Sequence, residues 1–109
     1  MKSHIVATRS GESLRIYQAQ DGHWCCPVCG SPELTQPPYF GSGAASFEMC
    51  SCDFEFGFDD DPGASSQALP TVTENLERWR SNLVKRARDS EGKYEPLLAQ
   101  LAIIGVRDV

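Results

Sequence analysis

The period of hydrophobic and polar positions changes along the chain, and each change marks an element. His4–Arg9 and Leu14–Ala19 are rich in strand-forming residues and flank Ser10-Gly11, which predicts a β-hairpin. Its second arm alternates, with Leu14, Ile16 and Gln18 on one face and Arg15 and Tyr17 on the other. Asp21-Gly22 predicts a turn into His23-Trp24. Pro32, Pro37, Pro38, Gly41 and Gly43 make the stretch from Ser31 to Ala44 irregular. Ala45–Met49 then predicts a short strand. Phe54-Glu55-Phe56-Gly57-Phe58 alternates with the strand period of two, so its three rings are expected on one face, covering a core. Asp59-Asp60-Asp61-Pro62-Gly63 reads as a solvated acidic turn, and Gly63–Ala68 as a linker of small and polar residues.

Beyond the linker the period becomes helical. Thr71-Val72-Thr73-Glu74 is a capping box, and the helix behind it is expected to run to about Asp89. Leu76, Trp79, Leu83, Val84 and Ala87 form its apolar stripe. Glu74 and Glu77 near its start and Lys85, Arg86 and Arg88 near its end complement the helix dipole. Together with Arg78 and Arg80, these cations read as a solvated face rather than a nucleic-acid helix. Gly92 breaks the pattern. Pro96 suits the first turn of a second helix, lined by Leu97, Leu98, Leu101 and Ile104 and ended by Gly105. The matching stripes predict an αα-hairpin in which Trp79 is buried with Leu83, Leu97 and Leu101.

A chain of 109 residues and 12.0 kDa is one domain in size. Leu, Ile, Val and Phe number only 23, near the level where apolar burial alone is a doubtful foundation, so a metal or a partner would add useful stability. The longest apolar run, Leu101–Ile104, is far short of a membrane span, and Met1–Arg9 has no apolar signal core. A cytoplasmic setting is expected. The net charge of −5 is unevenly spread. Residues 1–70 hold three basic and nine acidic side chains, whereas residues 71–109 hold seven basic and six acidic. The first part is therefore ill suited to phosphate, and a basic protein partner fits its field better.

The cysteines carry the chemistry. In a reducing compartment, clustered cysteines bind metal more often than they form disulfides. Cys26-Pro27-Val28-Cys29-Gly30 has the spacing of a zinc knuckle: proline presets the turn, glycine tolerates a positive φ, and backbone N–H groups can turn toward the thiolates. Cys50-Ser51-Cys52 is one residue short of the usual spacer, and Asp53 stands where such a knuckle has glycine. Asp tolerates the left-handed conformation better than most residues, so the tight loop can still chelate. Four thiolates, Cys26, Cys29, Cys50 and Cys52, make a structural Zn²⁺ site. Cys25 is surplus and competes with Cys26 as a ligand. His4 and His23 are alternatives should the short pair fail.

From Trp24 to Ala64 the chain resembles the bacterial cysteine-rich CPCC-type family of small zinc-ribbon-like proteins. The resemblance rests on Cys26-Pro27-Val28-Cys29-Gly30, Pro37-Pro38-Tyr39 and Ser46-Phe47-Glu48-Met49-Cys50, continuing through Cys52-Asp53-Phe54-Glu55-Phe56-Gly57-Phe58-Asp59-Asp60. It covers about forty of the 109 residues, with only a loose likeness around Trp79 beyond them. The family pattern has Cys-Pro-x-Cys-Gly as its second knuckle, and the shortened one here puts the fourth ligand in question. The resemblance implies a metal-stabilised module. The expected fold is α+β: a zinc-ribbon-like β module with an N-terminal hairpin over 1–63, a linker over 64–70, and a helical tail over 71–109 packed on it.

Function follows by class. Four cysteines close a zinc shell, whereas a catalytic zinc keeps a position open, and no Ser/His/Asp set, phosphate loop or His-Glu-x-x-His motif is present. A non-enzymatic protein-binding module is expected, in its sharpest form an immunity or antitoxin-type protein that neutralises a basic toxin. Its candidate surface is Glu48, Asp53, Glu55, Asp59, Asp60 and Asp61. A nucleic-acid-binding zinc ribbon is the alternative, and it would need a basic, aromatic-bearing face.

Overall fold

The computed structural model describes residues 1–107. Strand β1 (Lys2–Ala7) pairs antiparallel with β2 (Ser13–Gln18), in a register that sets Lys2 opposite Gln18 and Ala7 opposite Ser13. Val6 and Ile16 point inward, while Ile5 and Arg15 stay outside. The hairpin begins two residues earlier than the composition of its first arm suggests. Its turn closes through Thr8 N–H to the Glu12 carbonyl at 2.8 Å and Gly11 N–H to the Thr8 carbonyl at 3.0 Å.

The central region differs from expectation. Neither 45–49 nor 54–58 forms an extended strand; pairing there shrinks to isolated bridges, Tyr39 with Ala45 and Met49 with Glu55. Left-handed φ values at Phe47 (62°), Asp53 (70°) and Gly57 (102°) break up both arms. The expected common face of three phenylalanines is corrected too. Phe54 and Phe56 are fully buried, whereas Phe58 is 59% exposed. The chain curls after Glu55, whose carbonyl accepts from the N–H groups of Phe58 and Asp59, and that turn ends the alternation.

The helices follow the sequence closely. Helix α1 (Val72–Arg88) starts at Thr71, whose hydroxyl oxygen accepts from Glu74 N–H at 3.1 Å. Helix α2 (Tyr94–Ile103) ends in a Schellman turn: Gly105, at φ 82°, donates to the Ala102 carbonyl and Val106 to the Leu101 carbonyl. The fold is thus α+β, a hairpin and an irregular cysteine-bearing region followed by two helices. The 64–70 segment is fastened to α1. Leu69 N–H donates to Asn75 Oδ1, Asn75 Nδ2 donates to the Leu69 carbonyl, and Arg78 donates to the Gln67 carbonyl.

Two apolar clusters hold these parts together. The larger joins Ile16, Val28, Leu34, Tyr39, Phe54 and Phe56 to Val72 and Leu76 of α1. The smaller unites Cys25, Val84, Leu101 and Ile104. Trp79 packs on the larger cluster together with Leu83 and Leu97, as expected, but Leu101 belongs to the smaller one, and the Trp79 ring lies edge-on to Phe54 at 5.3 Å. The radius of gyration, 13.3 Å, is about that of a packed chain of this length.

Two ties cross long sequence distances. The Ser10 hydroxyl oxygen accepts from Val72 N–H, and the Glu12 carboxylate accepts from the N–H and hydroxyl of Thr73. The hairpin turn therefore supplies acceptors and a negative charge to the otherwise unpaired amides at the start of α1. Asp60 is fully buried. It pairs with Arg9 at 2.6 Å, takes the Tyr39 hydroxyl proton in a hydrogen bond, and accepts from Gly57 N–H at 3.0 Å. Asp60 is thus a core residue and not part of a solvated acidic surface, which corrects the expectation for that position.

Candidate metal centre

The first knuckle is built by its backbone. Gly30 N–H returns to the Cys26 carbonyl at 2.7 Å, and Cys26 N–H donates to the Ser31 carbonyl at 2.8 Å. Gly30 takes φ 86°, and a Cβ there would lie 2.4 Å from the Gln100 carbonyl oxygen of α2, so only glycine fits. In the second knuckle Asp53 N–H donates to the Cys50 carbonyl at 2.9 Å, and Asp53 itself occupies the left-handed position. Asp53 thus takes the backbone conformation that glycine takes in the first knuckle.

These turns bring Cys26, Cys29, Cys50 and Cys52 together, with all four Sγ atoms within 4.8 Å of one another. Cys29 Sγ lies 3.5 Å from Cys50 Sγ, and Cys26 Sγ lies 4.0 Å from Cys52 Sγ. Metal–sulfur bonds of about 2.3 Å in a tetrahedron give a sulfur–sulfur edge of about 3.8 Å, which those two distances bracket. The donor set and its spacing therefore fit a metal ion held by four thiolates. Cys26, Cys29 and Cys50 are buried, Cys52 is half-buried, and all are free thiols.

Crowding perturbs their protonation. Burial pushes the Cys26 thiol up. Hydrogen bonds from the neighbouring thiols, Cys26 first, hold Cys29 well down and bring Cys50 to about 7. Backbone N–H groups of Ser31 and Cys52 also aim at the Cys29 and Cys50 sulfurs. A cation at this point would stabilise all four as thiolates.

Three side chains from the helices grip the knuckle backbones, and the sequence pattern does not reveal them. Arg80 donates to the carbonyls of Pro27 and Val28 at 2.5 and 3.0 Å. Gln100 Nε2 donates to the Cys29 carbonyl at 2.8 Å. Trp79 Nε1 donates to the Cys52 carbonyl at 3.1 Å. Glu33 links the two knuckles, since its carboxylate accepts from the N–H and hydroxyl of Ser51 and from the Ser31 hydroxyl. Arg80, read from the sequence as part of a solvated face, is instead a half-buried prop of the first knuckle.

The surplus and alternative ligands lie elsewhere. Cys25 is buried in the smaller cluster, outside the four-sulfur group, and burial raises its thiol pKa. His4 is exposed with its ring 5.3 Å from that of Trp24, and His23 pairs with Asp21 at 3.2 Å. Of the acidic candidates, Glu48 is turned inward: its carboxylate accepts from Thr35 N–H, the Thr35 hydroxyl and Gln36 N–H. Asp53 is exposed, and Glu55, Asp59 and Asp61 are partly so. No helix among the described residues is long and apolar enough to cross a membrane. The chain matches no known family model, no curated protein and no solved structure.

Proposed function

We propose that this chain is a non-enzymatic, zinc-stabilised module that works by binding another protein, in its sharpest form an immunity or antitoxin-type protein directed at a basic toxin. The observation that carries the reading is the closed group of four cysteine sulfurs, buried in all but Cys52. A shell of four thiolates leaves no open position for substrate, which is the pattern of structural rather than catalytic zinc. A near-tetrahedral set of four thiolates takes zinc or the iron of an iron–sulfur centre, and zinc is the ion of the structural role proposed here. In this role the ion ties the 26–29 turn to the 50–52 turn and adds stability that a small apolar core lacks. The CPCC-type resemblance over 24–64 supports the same reading, and five free thiols suit a reducing, cytoplasmic compartment.

The charge distribution supports a protein partner over nucleic acid, since the cysteine-bearing half is strongly acidic. The reading is tested by metal analysis of purified protein, paired with a gel shift on random-sequence DNA and RNA and capture of a cationic protein partner. One zinc per chain, no nucleic-acid shift and salt-sensitive protein capture support it. Substoichiometric metal, or micromolar nucleic-acid binding, overturns it.

A further inference from the structure

The Met49–Glu55 bridge joins the two short arms that flank the second knuckle, and Phe56 N–H donates to the Glu48 carbonyl one step along. Strand alternation holds only beside this bridge, since Phe47 and Gly57 are left-handed, and burial tells the two sides apart. Glu48 and Phe56 face inward, as the buried Phe56 ring and the Glu48 bonds to Thr35 and Gln36 confirm. Phe47, Met49, Glu55 and Gly57 face outward. Phe47 is 67% and Met49 58% exposed. The Phe47 ring packs directly on Gly57, where an added Cβ would meet it at 2.5 Å.

This is a costly way to place an aromatic side chain. Phe47 holds φ 62°, a region bulky residues seldom occupy, and its ring is not repaid by burial. Glu55 pairs with Met49 and the Asp59 carboxylate accepts from the Glu55 N–H, so both carboxylates border the patch, and no lysine or arginine occurs in the sequence between Arg15 and Arg78. Arg9 turns in to Asp60, Arg78 to the Gln67 carbonyl and Arg80 to the first knuckle, while Arg86 and Lys93 share a groove with Asp53 on the side toward the helices.

We propose that this outer face, centred on Phe47 and Met49 and bordered by Glu55 and Asp59, is a docking surface for a cationic protein segment that carries apolar side chains. The inference rests on the protein-binding reading above and narrows it to one face and one partner chemistry. An apolar centre with a charged rim is the usual anatomy of a protein interface. A second copy meeting this face with its own would bring the same sign of charge, and so would a nucleic-acid backbone or an anionic lipid surface, and each is repelled. A basic segment neutralises the rim while its apolar side chains cover Phe47 and Met49.

The test is a titration of the ¹⁵N-labelled, zinc-loaded protein with a synthetic peptide of alternating Lys and Leu, followed by NMR. Peptides of alternating Lys and Ser and of alternating Glu and Leu, and a random-sequence RNA, serve as comparisons. Shifts are expected to concentrate at 47–49 and 55–58, with weak binding of the Lys/Ser peptide and none of the Glu/Leu peptide or RNA. Phe47→Ser with Met49→Ser should weaken the Lys/Leu peptide about tenfold or more, as loss of interface anchors does. Glu55→Gln with Asp59→Asn should lower the association rate and its salt dependence. Zinc content and melting temperature of each variant separate a lost surface from a lost fold. No binding, shifts centred on the helices, or undiminished affinity in the Phe47/Met49 variant overturns this surface. The wider reading fails separately, through its metal content or through nucleic-acid binding.

Discussion

The indole N–H of Trp79 donates to the carbonyl of Cys52 at 3.1 Å, joining the middle of α1 to the least buried corner of the sulfur cluster. The bond and the ring contribute separately. Trp79→Phe keeps an aromatic ring against Phe54 and loses only the donor, so about 1 kcal/mol of stability should go with it. Trp79→Ala removes the ring as well and should cost roughly 3 kcal/mol. Urea denaturation of the zinc-loaded protein measures both. Equal losses would mean that the hydrogen bond carries the whole effect.

Metal content distinguishes the five thiols. Purified protein should carry one zinc, Cys29→Ser should lose it together with the folded cysteine region, and Cys25→Ser should retain it, because Cys25 lies outside the four-sulfur group. Plasma mass spectrometry and a thiol titration with and without chelator provide the check. Metal lost from Cys25→Ser and kept by Cys26→Ser would reverse the assignment.

Asp60 and Asp61 are adjacent and chemically identical, and their substitution should have different effects. Asp60→Asn leaves Arg9 and Tyr39 without a buried carboxylate and should cost about 3 kcal/mol, the scale of a broken buried pair. Asp61→Asn keeps an oxygen for the Gly63 N–H and should stay within about 0.5 kcal/mol. Thermal melts of the two variants beside wild type decide this.

Glu12 makes stability depend on acid pH. Burial opposes its charge, but hydrogen bonds from the Thr73 N–H and the Ser10 hydroxyl prevail and bring its carboxyl from 4.5 down to about 2. A folded-state value below the unfolded one stabilises fully above 4.5, and the contribution disappears as pH falls toward 2. Glu12→Gln should therefore be less stable than wild type at neutral pH, with the gap narrowing steadily below pH 4.5. Denaturant midpoints across this range measure the gap, and a constant gap would refute the account.

The parts of this molecule legible from sequence are those whose signals are local. Thr71 and Glu74 mark the start of α1, Gly105 stops α2, and the Cys26–Cys29 spacing builds its own turn. Asp53 could be read as a stand-in for glycine because the left-handed position lies within its own knuckle. What stayed hidden depends on distant partners. Nothing near Arg80 announces Val28, 52 residues away, so the side chain reads as solvated. Asp59, Asp60 and Asp61 look alike until the turn at Glu55 decides which one meets Arg9. Phe58 follows the period of Phe54 and Phe56 in sequence and leaves it in space because that turn begins before the period can finish.

The acceptors that Ser10 and Glu12 provide for Val72 and Thr73 lie 62 and 61 residues upstream of those amides. A helix end completed by so distant a segment cannot be fully ordered before the hairpin has docked. The exchange of the Val72 and Thr73 amide protons with solvent therefore reports on the hairpin, not on the helix alone. Opening the hairpin should release these two amides together, while the middle of α1, held by its own turns, exchanges more slowly.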